Sequence, residues 1–280
     1  MIIMEENEKI EIDLIIEAIF KKYGYDFRGY AKASIRRRIT NVLIKEGFAT
    51  YSDMLHSLLY DEAFFNVLLK EMTVNVTEMF RDPKVYRTIR TTVLQRLKHR
   101  NPLKVWNAGC STGEEAYSMA IILLEEYMFP KFQIYATDID ERVLKDAKRG
   151  IFDLKKMRDF TGNFQLGGGV ESFSDYFTSR YDHAKISDQL KAQIVFFNHN
   201  LVTDSIFNEI DLILCRNVLI YFGAELQERV FKLFWESLSP GGILCLGSKE
   251  SLMFSAYAEK FEVLDAKHKI YIKKGGASDQ

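Results

Sequence analysis

The stretch Lys104-Val-Trp-Asn-Ala-Gly-Cys-Ser-Thr-Gly-Glu-Glu-Ala-Tyr-Ser118 constrains the fold more than any other part of the chain. A short apolar run, a turn of small residues and an amphipathic segment predict strand, tight loop and helix. Gly109 and Gly113 allow positive φ in that loop, or let a ligand approach the backbone closely. Downstream, Gln133-Ile-Tyr-Ala-Thr-Asp-Ile-Asp140 predicts a second strand ending in carboxylates. Strand, glycine loop, helix, strand and acidic residue is the order in which a doubly wound α/β sheet grips the ribose of a nucleoside cofactor.

The alternation continues towards the C-terminus. Apolar runs at 104–108, 132–137, 193–198, 210–215, 242–247, 260–264 and 268–273 predict strands, with helices at about 113–127, 141–149 and 223–238. Strands alternating with helices imply a parallel, doubly wound sheet. The last two runs are too close for a crossover, so the sheet is expected to finish with an antiparallel strand. Residues 151–192 break the alternation with Gly167-Gly168-Gly169 and a turn-rich stretch from Tyr176 to Ile186, and read as an insertion.

Residues 10–72 have a different texture. Ile12, Ile15, Ile16, Ile19 and Phe20 form a helical apolar stripe, as do Leu55, Leu58, Leu59 and Phe65, Leu68, Leu69. A further helix is expected from Pro83 to His99, with Asp82 as its cap. The segment Thr73–Pro83 reads locally as an N-cap and hydrophobic staple for that helix. The chain is therefore expected to hold an N-terminal all-α domain and linker over 1–82, and an α/β domain over 83–280 with its insertion at about 151–192.

In 280 residues, 47% hydrophobic side chains with four prolines describe an ordered globular protein, and a net charge of −1 argues against a general nucleic-acid binder. Basic residues cluster locally, however: Lys21, Lys22, Arg28, Lys32, Arg36, Arg37, Arg38 and Lys45 face Asp26 as the only acid between them. Cys110, Cys215 and Cys245 lack metal-ligand spacing and suggest free thiols in a reducing compartment. Neither a signal peptide nor an apolar run of roughly 18 residues is visible. A cytoplasmic protein without membrane insertion is expected, and no His/Cys/Asp cluster suggests a metal.

On its residues alone the loop Asn107–Gly113 admits several readings. Gly109-Cys-Ser111-Thr-Gly113 spells the G-x-S-x-G nucleophile elbow of α/β-hydrolases, but that fold would need several strands and an oxyanion loop before it. A dinucleotide fingerprint would need its third glycine elsewhere. The S-adenosylmethionine loop of class I methyltransferases fits, although Asn107 and Ser111 stand where that loop carries an acid and a glycine. An ordinary strand-to-helix turn is the fourth reading. Asp138 is the better placed ribose ligand, and Asp140 reads as a cap for the next helix. Asn200 and Leu201 close the third strand, and Arg216, Asn217 and Tyr221 follow the fourth, where open α/β sheets bind ligands.

Together, Asn75-x-Thr77-x-x-Phe80-Arg81, Ser111-Thr-Gly-Glu-Glu115, Thr137-Asp-Ile-Asp140, His199-Asn-Leu201 and Cys215-Arg-Asn-Val-x-Ile-Tyr-Phe222 resemble, in order and spacing, the chemoreceptor glutamate methyltransferases of bacterial chemotaxis, the CheR family. The resemblance covers nearly the whole chain. It implies a class I methyltransferase sheet with an antiparallel last strand, a small inserted β-subdomain, and an N-terminal all-α domain for substrate recognition. It implies S-adenosyl-L-methionine as cofactor, S-adenosyl-L-homocysteine as product, and no metal. By the same resemblance Asn75, Thr77 and Arg81 reach over the cofactor's methionine end, with Arg81 on its carboxylate, and Glu115 holds the amino group. Asp138 holds the ribose, Asn200 and Leu201 frame the adenine, and Arg216 and Asn217 lie near the sulfonium. Tyr221, with Arg81, is implied as catalytic.

Its implied partner is the cytoplasmic helical domain of chemoreceptors, met by the basic stretch with Arg36, Arg37 and Arg38. In some members the inserted subdomain docks a receptor C-terminal peptide. Three consecutive arginines span about 200° of a helix and cannot all face one partner. A glutamate with pKa about 4.3 is ionised at neutral pH, so transfer needs no general base, and Tyr221 is expected to orient. The rival readings are a methyltransferase of another target and a cofactor-sensing interaction module without turnover.

Overall fold

In the computed structural model Ile12, Ile15, Ile16 and Ile19 are buried along one face of α1 (Ile2–Tyr23), as their spacing requires. The structure describes residues 2–73, 77–126, 131–207 and 209–275. Three helices complete the first unit: α2 (Lys32–Glu46), α3 (Tyr51–Tyr60) and α4 (Glu62–Met72). Gly47 ends α2 in a left-handed cap, Thr50 and Asp53 form a capping box for α3, and Asp61 caps α4. Ile35, Ile39, Leu58 and Leu68 meet the α1 stripe in one core. The segment Tyr221–Gln227 belongs to this unit, together with Met1–Asn75.

The second unit comprises Val76–Ile220 and Glu228–Gln280. It begins with α5 (Pro83–Thr88), a π-helical turn over Ile89–Val93, and α6 (Leu94–Leu97). The single helix expected over 83–99 is thus interrupted, and the π turn carries the buried Arg90, which pairs with Glu125 and Glu126. Asp82 is a further correction. It lies at φ 59° and makes no side-chain cap, because its carboxylate is engaged by Arg216 instead.

Next come β1 (Leu103–Ala108), α7 (Glu114–Glu125), β2 (Phe132–Asp138) and α8 (Glu141–Arg149). The insertion holds β3 (Ile151–Asp153), α9 (Met157–Leu166), β4 (Phe177–Arg180), β5 (His183–Ile186) and α10 (Asp188–Lys191), and its strands form a separate antiparallel sheet in the order β3-β5-β4. The chain returns to the main sheet with β6 (Ile194–Asn198), β7 (Ile210–Cys215), α11 (Ala224–Ser237), β8 (Leu238–Leu246), β9 (Phe261–Asp265) and β10 (Ile270–Lys273).

The main sheet has the order β6-β2-β1-β7-β8-β10-β9. Its first five strands run parallel, and β10 is antiparallel to both β8 and β9. This is the class I methyltransferase sheet with its antiparallel last strand, inserted β-subdomain and N-terminal all-α domain. β8 starts four residues earlier than the apolar pattern predicts, because a register shift between Ile210 and Leu212 accommodates Pro240 and Gly241 inside the strand. Strand order reverses between β1 and β7, so the crevice for a ligand opens beyond their carboxyl ends. No helix among the described residues is long and apolar enough to cross a membrane.

Candidate functional site

The loop after β1 is tied to the end of β2. Gly109 and Cys110 both donate their N–H groups to the Thr137 carbonyl at 2.8 Å, and the Ser111 N–H donates to Asp138 Oδ2 at 2.9 Å. Asp138 Oδ1 accepts the Asp140 N–H at 3.0 Å. Desolvation raises the Asp138 carboxyl above its ordinary pKa, against the opposing pull of the Asp140 and Ser111 N–H groups. Asp140 caps α8 as expected, accepting from the Arg142 N–H at 2.9 Å. Gly109 sits at φ 78°, and a Cβ there would lie 2.4 Å from Val218 Cγ2. The glycine is needed both for its conformation and for this close approach. Ser111 is buried and its Oγ has no hydrogen-bond partner among the described residues, so no base activates it and the nucleophile-elbow reading falls.

Beyond β7, Arg216 links the two ends of the crevice. Its Nη2 reaches Asp82 Oδ2 at 2.7 Å, and its Nη1 reaches Glu115 Oε1 at 2.8 Å and the Arg81 carbonyl at 3.2 Å. Burial, the largest single influence, would lower the pKa of this guanidinium, but Glu115, Tyr86 and Cys245 together outweigh it and raise it, so the charge is held. Glu115 also accepts from Tyr86 Oη at 3.2 Å and from Asn107 Nδ2 at 2.8 Å. Burial raises the Tyr86 pKa well above its ordinary value and keeps the phenol a donor. Asn107 thus stands where the cofactor loop of class I methyltransferases carries an acid and orients Glu115. Its Oδ1 is buried without a partner among the described residues.

Asn217 adopts φ 62°, and Glu250 is the reason that this turn holds. The buried Glu250 carboxylate accepts N–H groups of Val218 at 2.8 Å, Leu219 at 2.7 Å and Gly247 at 2.5 Å, with Asn217 contributing a further backbone bond. In the sequence only Gly247, three residues before Glu250, hints at this close approach: a Cβ there would meet Glu250 Oε2 at 2.7 Å.

Arg81 and Thr77 are half-buried in the segment before α5, and Asn75 lies outside the described residues. His199 donates its N–H to the Asp138 carbonyl at 3.1 Å, which brings Asn200 and the buried Leu201 beside the end of β2. Asn200 Oδ1 accepts the Val202 N–H at 2.9 Å, and its own N–H goes to Asp204 at 2.8 Å, so part of its polar capacity shapes the loop. Gly109, Glu115, Asp138, Arg216 and Asn217 converge on the carboxyl rim of β1, β2 and β7.

Tyr221 belongs to the helical unit. Its carbonyl accepts the Ala31 N–H at 2.9 Å, Phe222 forms an antiparallel bridge with Tyr30, and the Gly223 N–H reaches the Gly29 carbonyl at 2.9 Å. The structure separates the three arginines of α2. Arg36 is exposed but held by Glu8 in a fork at 2.9 and 2.7 Å, while Arg37 is exposed. Arg38 is only 5% exposed and corrects the expectation of a receptor-facing side chain. A helix that buries Ile35, Ile39 and Val42 necessarily turns Arg38 inward with them.

The three cysteines are buried and unbridged, and among the described residues no His/Cys/Asp/Glu group could hold a metal ion. The rim does fit a nucleoside cofactor: Asn107 Oδ1 and Ser111 Oγ are buried polar atoms without a hydrogen-bond partner among the described residues.

Two family descriptions match in succession: "CheR methyltransferase, all-alpha domain" over residues 10–73, and "CheR methyltransferase, SAM binding domain" over residues 75–270. A Pseudomonas putida protein bearing the methyltransferase name Cher3 is 47% identical over 269 residues, 96% of this chain and 98% of that one. A chemotaxis protein methyltransferase of Listeria monocytogenes is 32% identical over 82% of this chain and 86% of its own length. Chemotaxis protein methyltransferase 1 of Vibrio cholerae is 31% identical over 82% and 84%. With both domain descriptions in sequence, and with relatives that align across both, this chain belongs to the CheR methyltransferase family.

Proposed function

We propose that the chain transfers a methyl group from S-adenosylmethionine to glutamate side chains of chemoreceptor helices, giving glutamyl methyl esters and S-adenosylhomocysteine in the cytoplasm. The observation that supports this most is the alignment of relatives named chemotaxis protein methyltransferases across the helical and the sheet domains together. The helical domain and linker, 1–82, would recognise the receptor, and 83–280 would hold the cofactor. A receptor tail peptide would dock on the inserted sheet of β3, β5 and β4.

The cofactor, when bound, supplies a methyl on a sulfonium with a neutral thioether as leaving group. Asp82, Arg216 and Glu115 combine two carboxylates with one guanidinium, leaving net negative charge that favours a cation nearby. Glu115 and Asn107 Oδ1 would receive the cofactor's ammonium, and Arg81 with Thr77 and Asn75 its carboxylate end. Asp138 would accept from the ribose, while Asn200 and Leu201 would flank the adenine. Arg216 and Asn217 would wall the reacting centre. Tyr221 would orient the acceptor carboxylate, which is already ionised and needs no base.

The test is incubation of the protein with methyl-labelled S-adenosylmethionine and chemoreceptor cytoplasmic fragments. Alkali-labile label on receptor glutamates is expected. Alkali-stable label would reassign the acceptor, and cofactor binding without any label would favour a sensing module.

A further inference from the structure

We propose that Arg38 is a positioning residue for methyl transfer, acting through Tyr221 and the end of α4 and not as a surface contact for the receptor. This rests on the orienting role given to Tyr221 above. The Arg38 guanidinium lies 4.6 Å from the centre of the Tyr221 ring. Its Nη1 donates to the Met72 carbonyl at 2.6 Å and the Glu71 carbonyl at 3.3 Å, and its Nε to Ser34 Oγ at 3.3 Å. Met72 ends α4, where unpaired carbonyls and the helix dipole both favour a cation.

One side chain therefore fixes two things. It anchors the last turn of α4, from which the chain enters the Asn75–Arg81 motif, and it presents a face to the Tyr221 ring. The backbone on either side supports the same geometry. Ala31 holds the Tyr221 carbonyl, and Gly29 and Gly223 approach so closely that a Cβ on Gly223 would meet the Gly29 carbonyl oxygen at 2.9 Å. Tyr221 is thus stapled by its main chain just before α2, and Arg38, lying seven residues after Ala31, restrains its ring. A buried guanidinium with planar donors can serve carbonyls and a ring face at once, which a lysine ammonium cannot reproduce.

The experiment is steady-state methylation of a chemoreceptor cytoplasmic fragment by the full chain and by Arg38→Ala, Arg38→Lys, Tyr221→Ala and Arg38→Ala/Tyr221→Ala, with folding checked by circular dichroism and thermal unfolding. Arg38→Ala is expected to lower kcat on the order of 10- to 30-fold with little change in KM for the receptor. Arg38→Lys should recover part of that loss, and it carries the comparison if the alanine variant does not fold. In the Tyr221→Ala background, removing Arg38 should cost little more. A raised receptor KM with kcat intact, or losses that multiply in the double variant, would overturn the proposal while leaving methyl transfer standing. A wild-type protein that labels no receptor would overturn both.

Discussion

Arg216 and Glu115, 101 residues apart in sequence, meet at 2.8 Å across the carboxyl ends of β7 and β1. The same guanidinium reaches Asp82 at 2.7 Å, so one buried cation separates two carboxylates. Arg216→Ala removes it and leaves both acids facing each other. The loss expected in chemical unfolding is about 3 kcal/mol. Arg216→Lys should rescue little of this, since a point charge cannot span both partners. A midpoint unchanged by Arg216→Ala would show that the trio adds nothing to stability.

Gly109→Ala places a methyl 2.4 Å from Val218 Cγ2 on a backbone at φ 78°. A loss of roughly 1–3 kcal/mol in stability is expected from the strain. Calorimetric affinity for S-adenosylhomocysteine should fall at least tenfold, because the turn must shift where a ligand would lie against it. Wild-type affinity would rule out this loop as the cofactor cradle.

Glu114, the first residue of α7, is 2% exposed, and burial raises its pKa although Thr112 Oγ1 donates to it at 2.6 Å. In the pH range between the ordinary glutamate value and the raised one, the folded state binds more protons than the unfolded state. This contribution to stability is therefore fully present below the unfolded pKa and lost as pH rises through the folded pKa. Glu114→Gln keeps an acceptor for Thr112 without an ionisable proton. The variant should lack that decline and gain on the wild type at neutral pH relative to pH 4. Parallel stability curves for the two proteins would contradict this.

Arg36 and Arg37 should behave differently although both are exposed. Glu8 already compensates Arg36, a partly exposed pair worth less than about 1 kcal/mol. Arg37→Glu is expected to raise the receptor KM several-fold at low salt, with the difference shrinking as salt screens it. Equal, salt-independent effects of Arg36→Ala and Arg37→Glu would remove α2 from the docking surface.

Much of the sheet was legible because a buried strand declares itself locally. The apolar runs 104–108, 132–137, 193–198 and 210–215 fall within a residue or two of β1, β2, β6 and β7. Asp140 was readable as a cap because its partner, the Arg142 N–H, is two residues away. Asp82 misled for the opposite reason. It stands before a helix-starting proline like any cap, yet its partner lies 134 residues on, in Arg216. Glu250 has no local signature beyond Gly247, since most of what it binds is the backbone of another loop.

The sequence by itself determined the order of elements, the glycine turn and the family motifs, since periodicity and backbone freedom are properties of neighbouring residues. Only the tertiary structure decided what those motifs touch. It turned Arg38 inward, gave Tyr221 to the helical unit, and set Asn107 and Tyr86 on Glu115. Hydrogen bonds and ion pairs act over about 3 Å, so partners far apart in the chain are chosen by the topology that brings their strands and helices together.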